Sequence, residues 1–142
     1  MALITDIADA VVTELAGGAF SQSFTPERRV LPEYELADLK DLRVTVVPRS
    51  VEITGASRTL SQHDVQIDIG IQKKLGKNLD TEVASLLGLV DEIAEFLERR
   101  PLQAAPYAVW VRTANEPIYA ADHLAEQRTF TSVLTLVYRV MK

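Results

Sequence analysis

The two histidines are the first candidates for chemistry, because imidazole is a common general base and metal ligand in proteins. His63 and His123 each stand beside an aspartate, Asp64 and Asp122. Neighbouring residues on a strand point to opposite faces, so neither aspartate is placed to orient its histidine. The chain has no cysteine and no HExxH spacing that would supply further ligands. We therefore expect histidines in turns or at the surface, and no resident metal.

A second candidate is the Glu/Gln-x-Lys half-motif of residues 72–74, at the end of a predicted strand. Metal-dependent nucleases gather carboxylates around Mg²⁺ near the attacked phosphate. Asp64, Asp68 and Glu52 lie upstream, and Asp68 shares an alternating face with Gln72. However, the half-motif lacks its second carboxylate, and a formal net charge of -5 does not favour binding to phosphate backbones. A small metal-dependent nuclease therefore stays the enzymatic alternative, beside a hairpin whose outer face is simply polar.

Two glycine-containing segments match catalytic loops only in part. Residues 55–57 (Gly-Ala-Ser) lack the Gly-x-Ser-x-Gly elbow of serine hydrolases and suit a hairpin turn. Residues 75–78 (Leu-Gly-Lys-Asn) separate a predicted strand from a predicted helix, but they lack the first glycine, the length and the Ser/Thr of a phosphate loop. We expect both segments to be connecting turns, and we expect no catalytic residue, no cofactor and no enzymatic activity.

The elements that hold these residues are predicted by the spacing of apolar side chains. Residues 4–15 and 80–100 carry apolar residues at steps of three and four, which predicts two amphipathic helices. In the second helix, the arginines at 99–100 are expected to complement the C-terminal dipole. Pro48 cannot donate a ladder hydrogen bond, so we expect it at a bulge of its strand or with its N–H side turned to solvent. The predicted strands cover residues 24–30, which Pro26 would confine to an edge or break, 42–53, 62–74, 107–113 and 128–141, the last in a central position.

Helices that stand apart from hairpin-connected strands, instead of alternating with each strand, indicate an α+β fold. We expect one domain over residues 1–142, with a mostly antiparallel sheet of about four or five strands and two helices packed on one face. The composition, 47% hydrophobic and 25% charged, is typical of a globular protein, and no apolar run approaches the roughly 18 residues of a membrane span. We expect a soluble, cytoplasmic protein that binds neither membranes nor specific nucleic acids.

Interface residues are sought where the predicted core does not need the side chains. Arg49 and Arg58 lie near the exposed parts of the predicted hairpin, and Arg112 and Tyr119 lie near the loop of residues 114–127. Arginine and aromatic residues are enriched at protein interfaces. These four residues are therefore the candidates for contacts with other protein chains.

The order of the elements resembles the tail terminator proteins, also called tail completion or neck proteins, of long-tailed bacteriophages and prophages. The segments that carry this resemblance are ITDIADAVVTEL, DLRVTVVPRSVEI, HDVQIDIGIQKKL, TEVASLLGLVDEIAEFLERR and FTSVLTLVYRVMK. The resemblance covers nearly the whole chain and is one of pattern, without a catalytic motif. No functional residue of that family is transferred by it.

That resemblance implies a structural protein that forms a hexameric ring on the last ring of tail-tube subunits, stops tube polymerisation and presents a surface to the head connector. It implies assembly in the host cytoplasm and a final place in the virion tail. Another head-to-tail adaptor or a minor capsid component would share the small α+β form, and only the binding partner would separate these alternatives.

Overall fold

A computed structural model describes residues 2–30, 41–116, 118–122, 125 and 128–142 of the chain. Five strands form one sheet in the order β1-β2-β3-β5-β4, with antiparallel pairs except for β1 and β2. This confirms the predicted α+β fold and its mostly antiparallel sheet. The helices and strands are α1 (Leu3–Ala16), β1 (Pro26–Arg28), β2 (Arg43–Gly55), β3 (Ser61–Lys74), α2 (Leu79–Leu97), β4 (Val109–Asn115) and β5 (Thr129–Met141).

The alternation of β3 decides which face of the sheet is buried. Its odd-numbered residues from 65 to 71 are fully buried and align with the even-numbered residues of β5, of which Leu136 and Tyr138 are also fully buried. Both helices contribute buried apolar side chains to the same core, as predicted. We call this side of the sheet the helix face and the opposite side the outer face. The buried residues of β3 are Val65, Ile67, Ile69 and Ile71.

A bulge divides β2 into two halves. Pro48 and Ser50 align with successive residues of β3, so Arg49 is the extra residue, and the bulge predicted at Pro48 is confirmed. The bulge shifts the alternation of the strand by one position. Val46 before it and Val51 after it therefore both belong to the helix face, because each aligns with a helix-face residue of β3.

Two edges of the sheet remain open within the part of the chain that the structure describes. β1, the predicted edge strand, pairs in parallel with residues 44–46 of β2 and leaves the rest of β2 with β3 as its one described neighbour. At the far side of the sheet, β4 pairs with β5 alone. We call residues 49–55 the β2 edge and residues 109–115 the β4 edge. They lie on opposite sides of the sheet.

The end of α2 differs from the prediction, because the helix stops at Leu97 and Arg99 adopts a left-handed backbone with φ 55°. The two arginines thus follow the helix, and their expected role in its last turn is wrong. Arg100 instead donates from Nε to Oε2 of Glu14 at 2.8 Å, and the backbone N–H of Gln103 donates to Oε1 of the same carboxylate at 2.8 Å. These bonds tie α1 to the segment after α2.

The charge of Glu14 is stabilised although its side chain is buried. The hydrogen bond from Arg100 lowers the pKa of the Glu14 carboxyl, and the bond from Gln103 lowers it further. Nearby Tyr138 is fully buried, and burial, together with the charge of Glu14, raises the pKa of its hydroxyl. Neither helix in the described ranges is long and apolar enough to cross a membrane.

Candidate interaction surfaces

The β2 edge exposes apolar side chains on one face and polar side chains on the other. Val51 and Ile53 lie on the helix face but are 38% and 60% exposed. Glu52 lies between them on the outer face, where it aligns with Asp64 of β3. An uncovered strand edge presents backbone donors and acceptors to other chains, and exposed apolar residues make such pairing more favourable. The β2 edge therefore has the properties of a protein-binding strand.

Residues 56–60 form the turn that joins β2 to β3, and we call them the hairpin end. The backbone N–H groups of Ala56 and Ser57 donate to the carbonyl of Leu60 at 3.1 Å. The Ser57 hydroxyl accepts hydrogen bonds from the N–H groups of Thr59 and Leu60, at 3.4 and 3.1 Å. This serine organises a turn, which confirms the prediction for residues 55–57. Arg58 lies exposed at this end, beside the exposed Leu60.

The β4 edge also exposes side chains that the core does not use. Val109 at its start is 63% exposed, and Arg112 is exposed on the outer face, where it aligns with Val137. Tyr119, in the described part of the following loop, is 40% exposed. The four predicted interface residues thus fall into two groups, with Arg49 and Arg58 in the β2–β3 hairpin and Arg112 and Tyr119 at or after β4.

A groove of about 350 Å³ separates α2 from β4 on the helix face. Trp110 forms one wall, where its indole N–H donates to the Thr113 hydroxyl at 2.8 Å and the Arg99 guanidinium lies 5.9 Å from the ring centroid. Trp110 packs against the core, as expected from the sequence, but it stays partly exposed. The other lining residues are Ala94, Glu95, Glu98, Arg112, Thr113, Asn115 and Leu134.

Two of the three carboxylates of the nuclease hypothesis, Asp64 and Asp68, are held by neighbours on the outer face. Arg139 donates to Asp64 from Nε at 2.9 Å and from Nη2 at 3.4 Å, and this hydrogen bonding lowers the pKa of the Asp64 carboxyl. Asp68 accepts from the Thr135 hydroxyl at 2.8 Å and lies 3.6 Å from Nη1 of Arg49. The arrangement is that of ion pairs along a sheet.

The structure does not bring the proposed nuclease or metal residues to one point. Asp64 and Asp68 are four residues apart on one strand, or about 13 Å. The described residues include no group of three or more His, Asp or Glu side chains that could hold a metal ion. His63 aligns with helix-face positions of its neighbouring strands, on the opposite face from Asp64. His123 lies outside the described residues.

The segment of residues 75–78 is a connecting turn, as predicted. The backbone N–H of Gly76 donates to Oε2 of Glu82 at 2.9 Å, and Arg128 donates from Nη2 to the Gly76 carbonyl at 2.8 Å. A carboxylate of the chain thus already accepts the N–H that a phosphate loop would offer to its ligand.

The groove and the two open edges are therefore the features that suit a partner chain. The sequence indicated the arginines beside them but not the groove, because its walls come from segments far apart in the chain. No family model matches the chain, and no curated protein matches it.

Proposed function

We propose that this protein is a tail terminator of a long-tailed phage or prophage, which caps the tail tube as a hexameric ring and joins the tail to the head connector. The observation that carries the proposal is a pair of edges on opposite sides of one sheet, which no strand of the described residues covers. A ring needs two different patches on each copy, because one patch of a subunit meets the other patch of the next. The β2 edge and the β4 edge meet this requirement.

The use of the polar residues gives further support to a structural role. Asp64 and Asp68 form ion pairs with arginines of neighbouring strands. The Ser57 hydroxyl accepts a hydrogen bond within the β2–β3 turn, and Glu82 accepts one from the segment before α2. A protein that works through its edges needs such a rigid frame and does not need a catalytic pocket. The element order that resembles the tail terminators is also the order found in the fold.

In a ring whose axis runs along the strands, the open edges contact neighbouring copies and the two ends of the sheet stay free. One end carries the hairpin end with Arg58, and the other carries the turn of residues 75–78. These two ends are the surfaces that we assign to the tail-tube protein and the head connector. The protein would assemble in the host cytoplasm and remain in the virion tail.

The test is to add the purified protein to the tail-tube protein of the same phage while tubes grow, and to measure tube lengths by electron microscopy. We expect shorter tubes with a ring at one end. Sedimentation of the capping complex should give six times the 15.7 kDa chain mass for the ring. A protein that stays a monomer with the tube protein present, and leaves tube length unchanged, would contradict the proposal. A ring that binds the head connector and ignores tubes would instead favour a head-to-tail adaptor.

A further inference from the structure

The geometry points to the contact that joins one copy to the next: the β2 edge of one copy pairs with the β4 edge of its neighbour, with Val51 and Ile53 seated in the neighbour's groove. This inference rests on the proposed ring, and it names the surfaces that close it. The partner is a second copy of this chain. The directions of the strands, the apolar side chains on the helix face and the charges on the outer face each support this pairing.

Strand direction supports an antiparallel contact. β2 runs parallel to β5, and β4 runs opposite to both, because each adjacent pair from β2 to β4 is antiparallel. A rotation about an axis along the strands keeps these directions in every copy. The β4 edge of one copy therefore meets the β2 edge of the next in antiparallel orientation, the orientation found more often in sheets and the more stable one per residue.

The apolar side chains match on the helix face. The same rotation keeps the helix faces of neighbouring copies on one side of the extended sheet. Val51 and Ile53 protrude on this face from the β2 edge. On this face, the groove beside β4 offers Ala94, Trp110 and Leu134 as apolar lining. Burying the two exposed side chains there adds hydrophobic stabilisation to the backbone hydrogen bonds of the paired strands.

The charges match on the outer face. Glu52 is the one acidic residue of the β2 edge, and Arg112 is the one charged residue of the β4 edge. Both lie on the outer face, because Glu52 aligns with Asp64 and Arg112 aligns with Val137. Pairing the two edges places opposite charges on the same face of adjacent strands, which is favourable.

The same charges disfavour pairing of two like edges. Two β2 edges related by a two-fold axis at Glu52 would bring together two copies of Glu52, and two β4 edges related by an axis at Arg112 would bring together two copies of Arg112. Like charges across adjacent strands are destabilising. The charges thus favour the head-to-tail contact, which leads to a ring, over these two-fold contacts, which would stop at a dimer. Arg49, the other charged residue of the β2 edge, lies 3.6 Å from Asp68 of its own chain.

The first test reverses the two charges. We expect Glu52→Arg and Arg112→Glu each to weaken self-association about tenfold or more at low salt, and an equal mixture of the two variants to restore it, because each reversed edge then meets its complement on another copy. The mixture is used because Glu52 and Arg112 also line one outer-face cavity of the same chain. Asp80→Arg, an equal charge reversal in α2 and on neither edge, should leave association unchanged. Sedimentation velocity over a concentration series gives the association constants. Failure of the mixture to recover, or an equal loss with Asp80→Arg, would overturn the pairing.

The second test uses the absence of cysteine from the chain, which removes background disulfides. Glu52→Cys and Val109→Cys place one thiol on the outer face of each edge. The two positions lie at one level of the sheet, because Val109 aligns with Arg139, which aligns with Asp64 and through it with Glu52. Under mild oxidation the two variants, mixed, should form a covalent dimer, and a chain that carries both substitutions should form a ladder of higher multimers. Ala84→Cys, exposed on α2, should not cross-link to Glu52→Cys. A cross-link of Glu52→Cys only with itself would show a two-fold contact and overturn the inference.

The outcomes separate this inference from the proposed function. If the wild-type protein forms rings that cap tubes, and the charge reversals and cysteine pairs have no effect, the pairing is wrong and the tail terminator proposal stands. If the cysteine pair forms its ladder but the protein never shortens tubes, the pairing stands and the proposed function fails. A protein without rings, ladder or tube capping contradicts both.

Discussion

The two halves of β2 belong to one strand but have opposite surroundings. Before the bulge, residues 44–47 are buried, and residues 44–46 lie between β1 and β3. After it, residues 49–55 are exposed, and their one described neighbour is β3. Val46 and Ile53 share the helix face, yet Val46 is fully buried and Ile53 is 60% exposed.

This contrast indicates that apolar residues of one strand serve two different needs. In the first half they fill the core, which both helices cover. In the second half the same alternation continues without a cover, and a monomer gains little from it. Exposed apolar residues at an uncovered strand edge are an aggregation risk unless a specific partner occupies them. The first half serves the fold, and we propose that the second half serves the assembly.

The largest expected effect comes from the same substitution made at a core position of β3 beside the first half of β2 and in the second half of β2. Ile69 aligns with Val46 and is fully buried, so Ile69→Ala should lower the free energy of unfolding by about 2–5 kcal/mol. Ile53→Ala removes an exposed side chain and should change it by about 0.5 kcal/mol or less. Urea denaturation at a protein concentration where the chain is monomeric measures both. Similar losses for the two variants would remove the contrast between the core around the first half of β2 and its second half.

The next effect concerns the hydrogen bonds from Arg100 and Gln103 to Glu14, which connect α1 to the segment after α2. We call this contact the clamp. Glu14→Gln removes the charge that Arg100 and Gln103 bind and should cost about 1–3 kcal/mol of folding stability. Glu52→Gln, the same change on the β2 edge, should leave stability within about 0.5 kcal/mol and weaken self-association instead. Thermal unfolding, compared with sedimentation of the same samples, separates the two effects. A stability loss for Glu52→Gln equal to that for Glu14→Gln would contradict the assignment of Glu14 to folding and of Glu52 to self-association.

The clamp also predicts how stability depends on pH. Because the folded pKa of Glu14 is lowered from the usual 4.5, its contribution is fully present above that value. The contribution is lost as the pH falls through the lowered folded pKa, since protonation then removes the charge that Arg100 binds. Urea titrations between pH 7 and about pH 2 should show a smaller acid loss for Glu14→Gln than for wild type. Equal acid losses would mean that Glu14 does not contribute in this way.

Part of this contrast was accessible from the sequence, because it depends on local patterns. The alternation of β3 predicted its buried face, and Pro48 predicted the bulge. The division of β2 was not predictable, since it depends on how far β1 reaches along its neighbour. The pairing of Glu14 with Arg100 also joins residues far apart in the chain, and no local pattern encodes such a contact.

For the candidate surfaces too, local features could be predicted and contacts between distant segments could not. Arg49, Arg58, Arg112 and Tyr119 were chosen for residue type and predicted exposure, and the structure places all four at exposed positions. Their roles in an interface stay predictions. The groove beside Trp110 was not predicted, because α2 and β4 approach each other only in the folded chain.

The smallest expected effect concerns the boundary between the halves. Pro48→Ala should lower the free energy of unfolding by about 0.4–1 kcal/mol, because proline restricts the unfolded chain and donates no hydrogen bond that the variant would lose. Arg49 should still form the bulge, and self-association should remain as in wild type. Urea denaturation and sedimentation measure these effects. Loss of association in a stably folded Pro48→Ala protein would show that the bulge depends on this proline.

The central claim, that the second half of β2 is an assembly surface and not part of the folding core, is tested most directly by Ile53→Lys. Sedimentation velocity of wild type and variant, at matched concentrations with circular dichroism as a check on folding, gives the answer. We predict that wild type assembles into rings as the concentration rises, and that the variant stays a folded monomer at every concentration. A variant that forms the same rings as wild type would contradict the claim.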